Sequence, residues 1–258
     1  MDNSRTGIGK SMLLSKHRIK ELVKLSRKKY RLCQGQVVVE GVNTIEQLIS
    51  NGIMPLALYY SKASEVVQRC SSIPAFEITD NDLGRICRSE TPPPLAALYA
   101  IPPSRTEDYH RAFYLDRISD PGNLGTIFRI ASAFGFDAVI LSDHCCDPYS
   151  PKVIRASLGS VFWIPSFEGG ARWLAEQDAQ LVVLTMKADK SIKNMALHSG
   201  KRIIAVIGSE AHGVNHEITQ LPSQQIRIDM QTGMESLNAA VVAGIVAYQI
   251  STLLDSGI

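Results

Sequence analysis

The sequence predicts an α/β protein built from two successive α/β domains. Short apolar segments of strand length alternate with segments of helical periodicity along most of the 258 residues. Several later strands, such as Leu181–Met186 and Ile203–Ile207, are nearly continuous aliphatic runs, which is typical of parallel strands buried on both faces. A polar, proline-containing run at 102–111 separates the two series. We therefore predict domains at 1–103 and 111–258.

The first series predicts a small α/β domain that opens with a basic helix over Ser15–Cys33. Its further helices are predicted at Thr44–Ser50, Ser64–Cys70 and Asp80–Ile86. Its strands are predicted at Val37–Val39, Leu56–Tyr60, Ala75–Ile78 and Leu95–Ile101.

The second series predicts a larger domain around a parallel sheet. Its strands are predicted at Phe113–Ile118, Ala138–Ser142, Phe162–Ile164, Leu181–Met186, Ile203–Ile207 and Ile226–Met230. Its helices are predicted at Leu124–Phe134, Lys152–Leu158, Gly170–Glu176 and Leu237–Leu254. The last of these is apolar nearly all round, so we expect it to be buried in a core or a subunit interface.

Composition excludes several classes of protein. Hydrophobic residues make up 45% and charged residues 20%, which is ordinary for a globular protein and excludes a disordered chain or a coiled-coil rod. We expect neither a signal peptide nor a membrane span, since the longest mostly apolar stretch, Ala239–Tyr248, is too short to cross a bilayer. The five cysteines form no CxxC pair, and the six histidines lack metal-ligand spacing. We therefore expect a cytoplasmic protein without a metal.

Charge is concentrated at the start of the chain. Residues 1–31 contain ten basic and two acidic side chains, a net charge of +8, which leaves −6 for the remainder of a chain with a total of +2. A basic segment on a slightly acidic body indicates contact with a polyanion, most often nucleic acid. The alternative is a solvated helix face. The candidate phosphate-binding residues are Lys24, Arg27, Lys28, Lys29 and Arg31.

Three loops at the carboxyl ends of predicted strands favour a ligand site. They are rich in glycine and polar residues and span 120–129, 208–213 and 229–238. Ligands of open parallel sheets bind at this edge, where glycines allow close approach and helix N-termini present free N–H groups.

The polar residues of these loops have structural as well as functional interpretations. Asn123 is placed to cap a helix, and either Ser236 or Asn238 is placed to cap the last helix. Glu210 is also compatible with a solvated surface carboxylate. Arg129 interrupts an otherwise apolar helix, so its guanidinium is expected to need an anionic or carbonyl partner.

Taken together, the loops resemble the three motifs of the SpoU (TrmH-type) RNA methyltransferases of the SPOUT superfamily. The similar segments are LDRISDPGNLGTIFRIASAFGFDAVIL at 115–141, IAVIGSEAHGV at 204–214 and IRIDMQTGMESLNAAVVAGIVAY at 226–248. The segment at 150–165 also resembles this family. Residues 16–100 are similar, more weakly, to its N-terminal substrate-binding domain, which is related to ribosomal protein L30e; KLSRKKYR and VVVEG carry that match.

The resemblance implies a trefoil-knotted α/β domain that works as a homodimer and methylates a ribose 2′-OH of RNA with S-adenosylmethionine. Ribosomal RNA, and 23S rRNA within it, is favoured over tRNA. By position, the family's catalytic side chains correspond to Asn123, Arg129, Glu210, Ser236 and Asn238. The cofactor residues correspond to Gly208, Ile228, Met230 and Leu237. Arg129 is interpreted as an electrostatic clamp on the developing alkoxide or an adjacent phosphate, and a base role assisted by phosphate stays open.

The sequence departs from the family pattern at two places. Asp229 replaces the usual proline, and Ala211-His212 replace a glycine and a polar residue. Two other functions stay open at this point: a non-catalytic RNA-binding protein on a SPOUT fold, and a small-molecule α/β enzyme. The second leaves the basic N-terminal segment unexplained.

Overall fold

The computed structural model describes residues 14–104, 109–231 and 236–255. The chain forms two compact units. The first extends to Pro102 and includes Tyr149–Phe162, and the second comprises Pro103–Pro148 and the chain from Trp163 onward. The predicted domain bounds, 1–103 and 111–258, stay a prediction.

Helices and strands alternate as the sequence predicts. The α-helices of the described chain are α1 Lys16–Lys24, α2 Lys28–Gln34, α3 Val42–Ser50, α4 Glu65–Arg69, α5 Asp80–Cys87, α6 Pro121–Ala133, α7 Pro151–Ala156, α8 Ala171–Ala175, α9 His216–Thr219 and α10 Ala239–Asp255. The strands are β1 Gln36–Glu40, β2 Ala57–Tyr60, β3 Ala75–Glu77, β4 Leu95–Ala100, β5 Arg111–Asp116, β6 Ala138–Leu141, β7 Ser166–Glu168, β8 Ala179–Leu184, β9 Arg202–Gly208 and β10 Gln224–Ile226. None of these helices combines the length and the apolarity needed to span a bilayer.

The first unit is built on a mixed sheet of strand order β1-β4-β2-β3. Strand β4 is antiparallel to both β1 and β2, and β3 is parallel to β2. Helices α1 and α5 cover the sheet through buried apolar side chains, which include Leu22, Tyr59, Leu83 and Leu98. This apolar contact fixes the basic α1 to the sheet.

The predicted basic helix over Ser15–Cys33 is two helices, α1 and α2, because local hydrogen bonds compete with a continuous helix between them. The Ser26 hydroxyl donates to the Val23 carbonyl at 2.8 Å. The Arg31 guanidinium donates to the Leu25 carbonyl at 2.8 Å. Arg31 is only 3% exposed, so its proposed place among the RNA-binding residues is wrong: it is a structural residue of the α1–α2 corner.

The second unit is built on an all-parallel sheet of order β10-β8-β9-β5-β6-β7. Its central strands are buried almost completely. This confirms the prediction that the aliphatic runs are parallel strands buried on both faces. From β5 the chain proceeds through β6 to β7 on one side, and β9 and β8 lie on the other. The carboxyl ends of β5 and β9 lie side by side at this reversal, with Asp116 paired to Gly208. Strand order does not test the predicted knot, which stays a prediction.

Two predicted strands are wrong in position. The strand expected at Phe162–Ile164 lies instead at Ser166–Glu168, because Phe162 ends a 3₁₀ turn and packs on Tyr99 and Tyr149 within the first unit. The strand expected at Ile226–Met230 ends at Ile226. Beyond it the backbone of Arg227 pairs with the loop at 190–192, so residues 228–230 belong to a loop.

Candidate active site

The three polar loops meet at the carboxyl edge of the second unit's sheet. The first follows β5 and leads into α6, the second follows β9, and the third follows β10 and leads into α10. Because β5 and β9 are neighbours, their loops start side by side. This is the place where parallel α/β sheets bind ligands.

One side chain from each loop joins a single polar cluster. Glu210 Oε1 accepts hydrogen bonds from Asn123 Nδ2 and from the Ala239 N–H, the latter at 3.1 Å. Asn238 Nδ2 donates to Asn123 Oδ1 at 2.7 Å and reaches Glu210 Oε1 at 3.5 Å. The structure therefore brings together three residues that are distant along the chain, the outer two of which, Asn123 and Asn238, lie 115 positions apart.

Asp120 and Asn238 cap helices α6 and α10, so the Asn123 side chain is not needed as a cap. Asp120 caps α6 by accepting from the Asn123 N–H at 2.8 Å, so the expectation that Asn123 itself is the cap is wrong. At α10, Asn238 Oδ1 accepts from the N–H groups of Ala240 and Val241, at 3.0 and 3.3 Å. The Glu210 carboxylate also lies at this helix N-terminus, where the helix dipole favours negative charge.

Arg129 lies on the exposed side of α6. No other residue in the described ranges forms a hydrogen bond or ion pair with it, so the anionic partner expected from the sequence is not found there. The partner is not required inside the chain, because water solvates the guanidinium. Arg129 is left available to a ligand or to another molecule.

A cavity of about 720 Å³ opens beside the polar cluster. Its floor is apolar and includes Leu184, Ile207, Ile226 and Val242. All four residues predicted from the resemblance to contact a cofactor lie on its wall, namely Gly208, Ile228, Met230 and Leu237. Glu210, Ser236 and His212 also line it. A concave cavity whose wall combines apolar side chains with polar groups is suited to bind a small molecule.

Gly208 is required by close approach of the chain to itself. The loop after it folds back, with the Gly213 N–H donating to the Ser209 carbonyl at 2.8 Å. A Cβ at position 208 would lie 2.2–2.3 Å from backbone atoms of Gly213 and Val214. Only a residue without a side chain fits here, so glycine at position 208 is what allows the chain at 213–214 to pack directly against the end of β9.

Two residues at the end of β5 form part of the site although sequence reasoning did not single them out. Asp116 is 2% exposed and accepts from the Asn215 N–H at 2.7 Å and from the Ser142 hydroxyl at 3.1 Å. Arg117 follows it and lines the cavity. The available signal was a carboxylate that ends an otherwise apolar strand, since such a buried charge needs several hydrogen bonds.

Asp229, which stands where the family usually has proline, is held by hydrogen bonds. It accepts from the Ser191 hydroxyl at 2.5 Å and pairs with Arg227 Nε at 3.3 Å. The Ser191 hydrogen bond, assisted by the charges of Arg227 and Lys193, lowers the pKa of Asp229. These contacts tie the loop between Ile228 and Met230 to the loop at 188–192.

The adjacent cysteines after β6 do not provide a nucleophile. Burial raises the pKa of both thiols, that of Cys146 to about 12, so the thiolate form is rare at neutral pH. The Cys145 thiol lies 3.3 Å from the Leu115 carbonyl.

The model of the SpoU rRNA Methylase family matches residues 110–248, more than half of the chain. The chain belongs to this family. A second model, described as an MRM3-like substrate binding domain, matches residues 16–97. These matches confirm the predicted family and the methyltransferase class, and they identify the N-terminal part as a substrate-binding domain.

Named relatives and solved structures agree with this membership. The chain is 26% identical over 244 residues to the 23S rRNA (guanosine(2553)-2′-O)-methyltransferase RlmP of Bacillus subtilis, covering 90% of this chain and 95% of that protein. It is 27% identical over 249 residues to an uncharacterized tRNA/rRNA methyltransferase of Synechocystis sp., covering 90% and 89%. An AdoMet-bound rRNA methyltransferase from Sinorhizobium meliloti superposes with a TM-score of 0.78 at 26% identity, covering 93% of this chain and 96% of that one. The α/β fold with a parallel sheet is thereby confirmed.

Proposed function

We propose that this chain transfers a methyl group from S-adenosylmethionine to a ribose 2′-hydroxyl of ribosomal RNA, with 23S rRNA favoured over tRNA. The observation that carries the proposal is the meeting of Asn123, Glu210 and Asn238 beside the cavity that Gly208 lines. The relative in Bacillus subtilis is named for 2′-O-methylation of 23S rRNA, and the Sinorhizobium structure holds AdoMet.

The residues of the cavity fit S-adenosylmethionine. Gly208, Ile228, Met230 and Leu237 line the wall, and we propose that they hold the adenosyl group against the apolar side chains of the floor. When bound, S-adenosylmethionine supplies an electrophilic methyl group on a sulfonium, and no metal is needed for that chemistry. Glycine at position 208 allows the chain at 213–214 to pack against the end of β9, which shapes this wall of the cavity.

The polar cluster positions the three loops, and Arg129 acts on the substrate. Glu210 joins Asn123 of the first loop to Asn238 of the third, so the carboxylate fixes the geometry around the reacting ribose. Ser236 lies on the cavity wall and contributes a hydroxyl to the same site. The Arg129 guanidinium stabilises the developing alkoxide or the adjacent phosphate, because its neutral form is too costly for an ordinary base. A base role assisted by phosphate is the alternative mechanism.

Calorimetry and methyl transfer test the proposed function together. S-adenosylmethionine is titrated into the protein, and methyl-labelled S-adenosylmethionine is then incubated with unmodified 23S rRNA or tRNA. We expect micromolar-range cofactor binding, of order −8 kcal/mol, and incorporation of label into rRNA. RNA binding without cofactor affinity would indicate a non-catalytic RNA-binding protein. Cofactor turnover that is insensitive to RNA would indicate a small-molecule enzyme.

The basic N-terminal segment contributes phosphate contacts that position the RNA. Four of the predicted cations, Lys24, Arg27, Lys28 and Lys29, are exposed, with Lys24 in an ion pair with Glu21 at 2.7 Å. Replacing these four with glutamine is expected to weaken RNA binding and to flatten the log–log salt dependence by about 0.7–0.9 per lost contact. Cofactor affinity is expected to stay unchanged, since none of these residues lines the cavity.

Filter binding at several salt concentrations measures this effect. The matched control removes four cations of the same unit that lie outside the segment: Lys62, Arg69, Arg85 and Arg88. We expect a smaller change of slope in the control. If the RNA affinity and salt slope of the test variant equal those of wild type, these cations only form a solvated helix face and bind no RNA phosphate.

A C2 homodimer with α10 in or near the interface completes the proposal. Helix α10 contains no charged residue before Asp255, yet Tyr248 is 63% exposed and Val241 is 49% exposed on one face. Helix α6 packs against α10, with Ile130 beside Gly244, so a second copy on α10 would lie close to the exposed Arg129. We propose that Arg129 or Asn123 is shared between the subunits.

Sedimentation velocity tests the dimer. Wild-type protein is expected to sediment as a dimer, and Tyr248→Lys is expected to shift it toward monomer with loss of methyl transfer, because a charge is placed in an apolar interface. Thr252→Lys, one turn further along, tests how far the interface extends. A stable and fully active wild-type monomer would refute the assignment. We place the dimer in the cytoplasm, in agreement with the five free cysteines.

A further inference from the structure

Arg117 has a strained backbone at the edge of the cavity. Its φ is +58°, in the left-handed region that residues other than glycine, asparagine and aspartate rarely adopt. It lies directly after β5 and lines the cavity. Such strain persists only where surrounding contacts hold it, and it is concentrated at functional sites.

The contacts that hold Arg117 also hold the loop after β9. Its Nε and Nη2 donate to Asp116 Oδ2 at 3.3 and 3.2 Å, and Nη2 also donates to the Gly213 carbonyl at 3.3 Å. Its N–H donates to the Ser142 hydroxyl at 2.9 Å. Asp116 Oδ2 also accepts a hydrogen bond from the Asn215 N–H. Asp116 and Arg117 therefore bind the chain on both sides of Val214.

The loop that Arg117 contacts, residues 209–213, contains Glu210. Residues 210–213 are exposed, and the loop is closed on itself by the hydrogen bond from Gly213 to Ser209. At its other side the loop is fixed through Glu210 to the start of α10. Loss of the Gly213 contact would therefore loosen both the polar cluster and the wall of the cavity at Gly208.

We propose that Arg117 is a positioning residue that latches the 209–213 loop to the end of β5 and thereby sets the affinity for the adenosyl group; this rests on the proposed function. The strained backbone directs the guanidinium toward Gly213 while Asp116 neutralises it. The competing interpretation is that Arg117 binds the carboxylate of S-adenosylmethionine directly, since it is 32% exposed in the cavity.

The test uses Arg117→Gly, which removes the latch and relieves the strain at once. Calorimetry measures binding of S-adenosylmethionine and of 5′-methylthioadenosine, which has the adenosyl group but no carboxylate. We expect Kd to rise about tenfold for both ligands, while Tm stays equal to or above that of Arg117→Ala, which keeps the strain. The matched control is Arg88→Gly: Arg88 is exposed, has φ of +53° and lies in the first unit, so ligand affinities should stay at wild type.

Amide hydrogen exchange tests, without any ligand, whether Arg117 holds the 209–213 loop in place. In Arg117→Gly, the amides of Gly213 and Asn215 are expected to exchange faster than in wild type, and in Arg88→Gly they should not. Unchanged exchange and unchanged Kd in Arg117→Gly would overturn the proposal. A loss of affinity for S-adenosylmethionine alone, with unchanged exchange, would overturn it in favour of a direct carboxylate contact. If wild type binds neither ligand, the proposed function fails, and the exchange rates still decide the latch.

Discussion

Arg129→Ala is expected to lower the rate of methyl transfer by about 10²–10³-fold, the loss seen when one preorganised electrostatic donor is removed. The side chain is exposed on α6 and forms no hydrogen bond or ion pair within the described ranges, so the fold should not depend on it. Its proposed role is at the ribose, and it does not line the cavity, so the Kd for S-adenosylmethionine should stay within about twofold of wild type. Single-turnover assays with labelled cofactor and calorimetry measure the two quantities.

Arg129→Lys is expected to fail substantially as well, because a point charge does not reproduce the planar guanidinium. The matched control is Arg172→Ala, which removes another exposed arginine of the same unit, one that pairs with Glu176 at the end of its own helix. That variant should keep full activity. Full activity in Arg129→Ala would show that this residue has no part in the chemistry.

Gly208→Ala is expected to abolish cofactor binding. The new Cβ would lie 2.2–2.3 Å from the backbone of Gly213 and Val214, so the loop that carries Glu210 has to move. Overpacking of a rigid site costs about 3 kcal/mol at the upper end of its usual range, which corresponds to a Kd raised more than about a hundredfold. Calorimetry and thermal melting measure the effect on binding and on stability.

Gly170→Ala is the control for this change. Gly170 has an ordinary φ of −78°, and a Cβ there meets nothing within 4 Å. It should bind S-adenosylmethionine as wild type does. Wild-type affinity in Gly208→Ala would mean that the loop is soft enough to move aside and that Gly208 does not define the cavity.

The site was predictable to the extent that its parts are local. Each loop follows a strand whose aliphatic run is visible in the sequence, and the edge rule for parallel sheets brings the loops together. That Glu210, rather than another acidic residue, joins Asn123 to Asn238 came from the family resemblance, and the hydrogen bonds show the three side chains in contact. The roles of Arg129 and Ser236 stay proposals.

Other features depend on contacts between distant segments and were not predictable from pattern. Arg31 belongs to a run of cations that looks uniformly solvated, and only the fold shows that its guanidinium turns inward to the Leu25 carbonyl. Phe162 has strand propensity, but its packing against Tyr99 within the first unit places it in a 3₁₀ turn. Arg117 gave no sequence signal, because left-handed φ is not encoded by residue type outside glycine and asparagine.

The position of the transferred methyl group tests the central claim most directly. Unmodified 23S rRNA is incubated with the protein and methyl-labelled S-adenosylmethionine, and the RNA is then hydrolysed completely with alkali. A methylated 2′-oxygen cannot attack the neighbouring phosphate, so the account predicts that the label appears in an alkali-resistant dinucleotide. Label recovered in mononucleotides would place the methyl group on a base and would contradict ribose 2′-O-methylation.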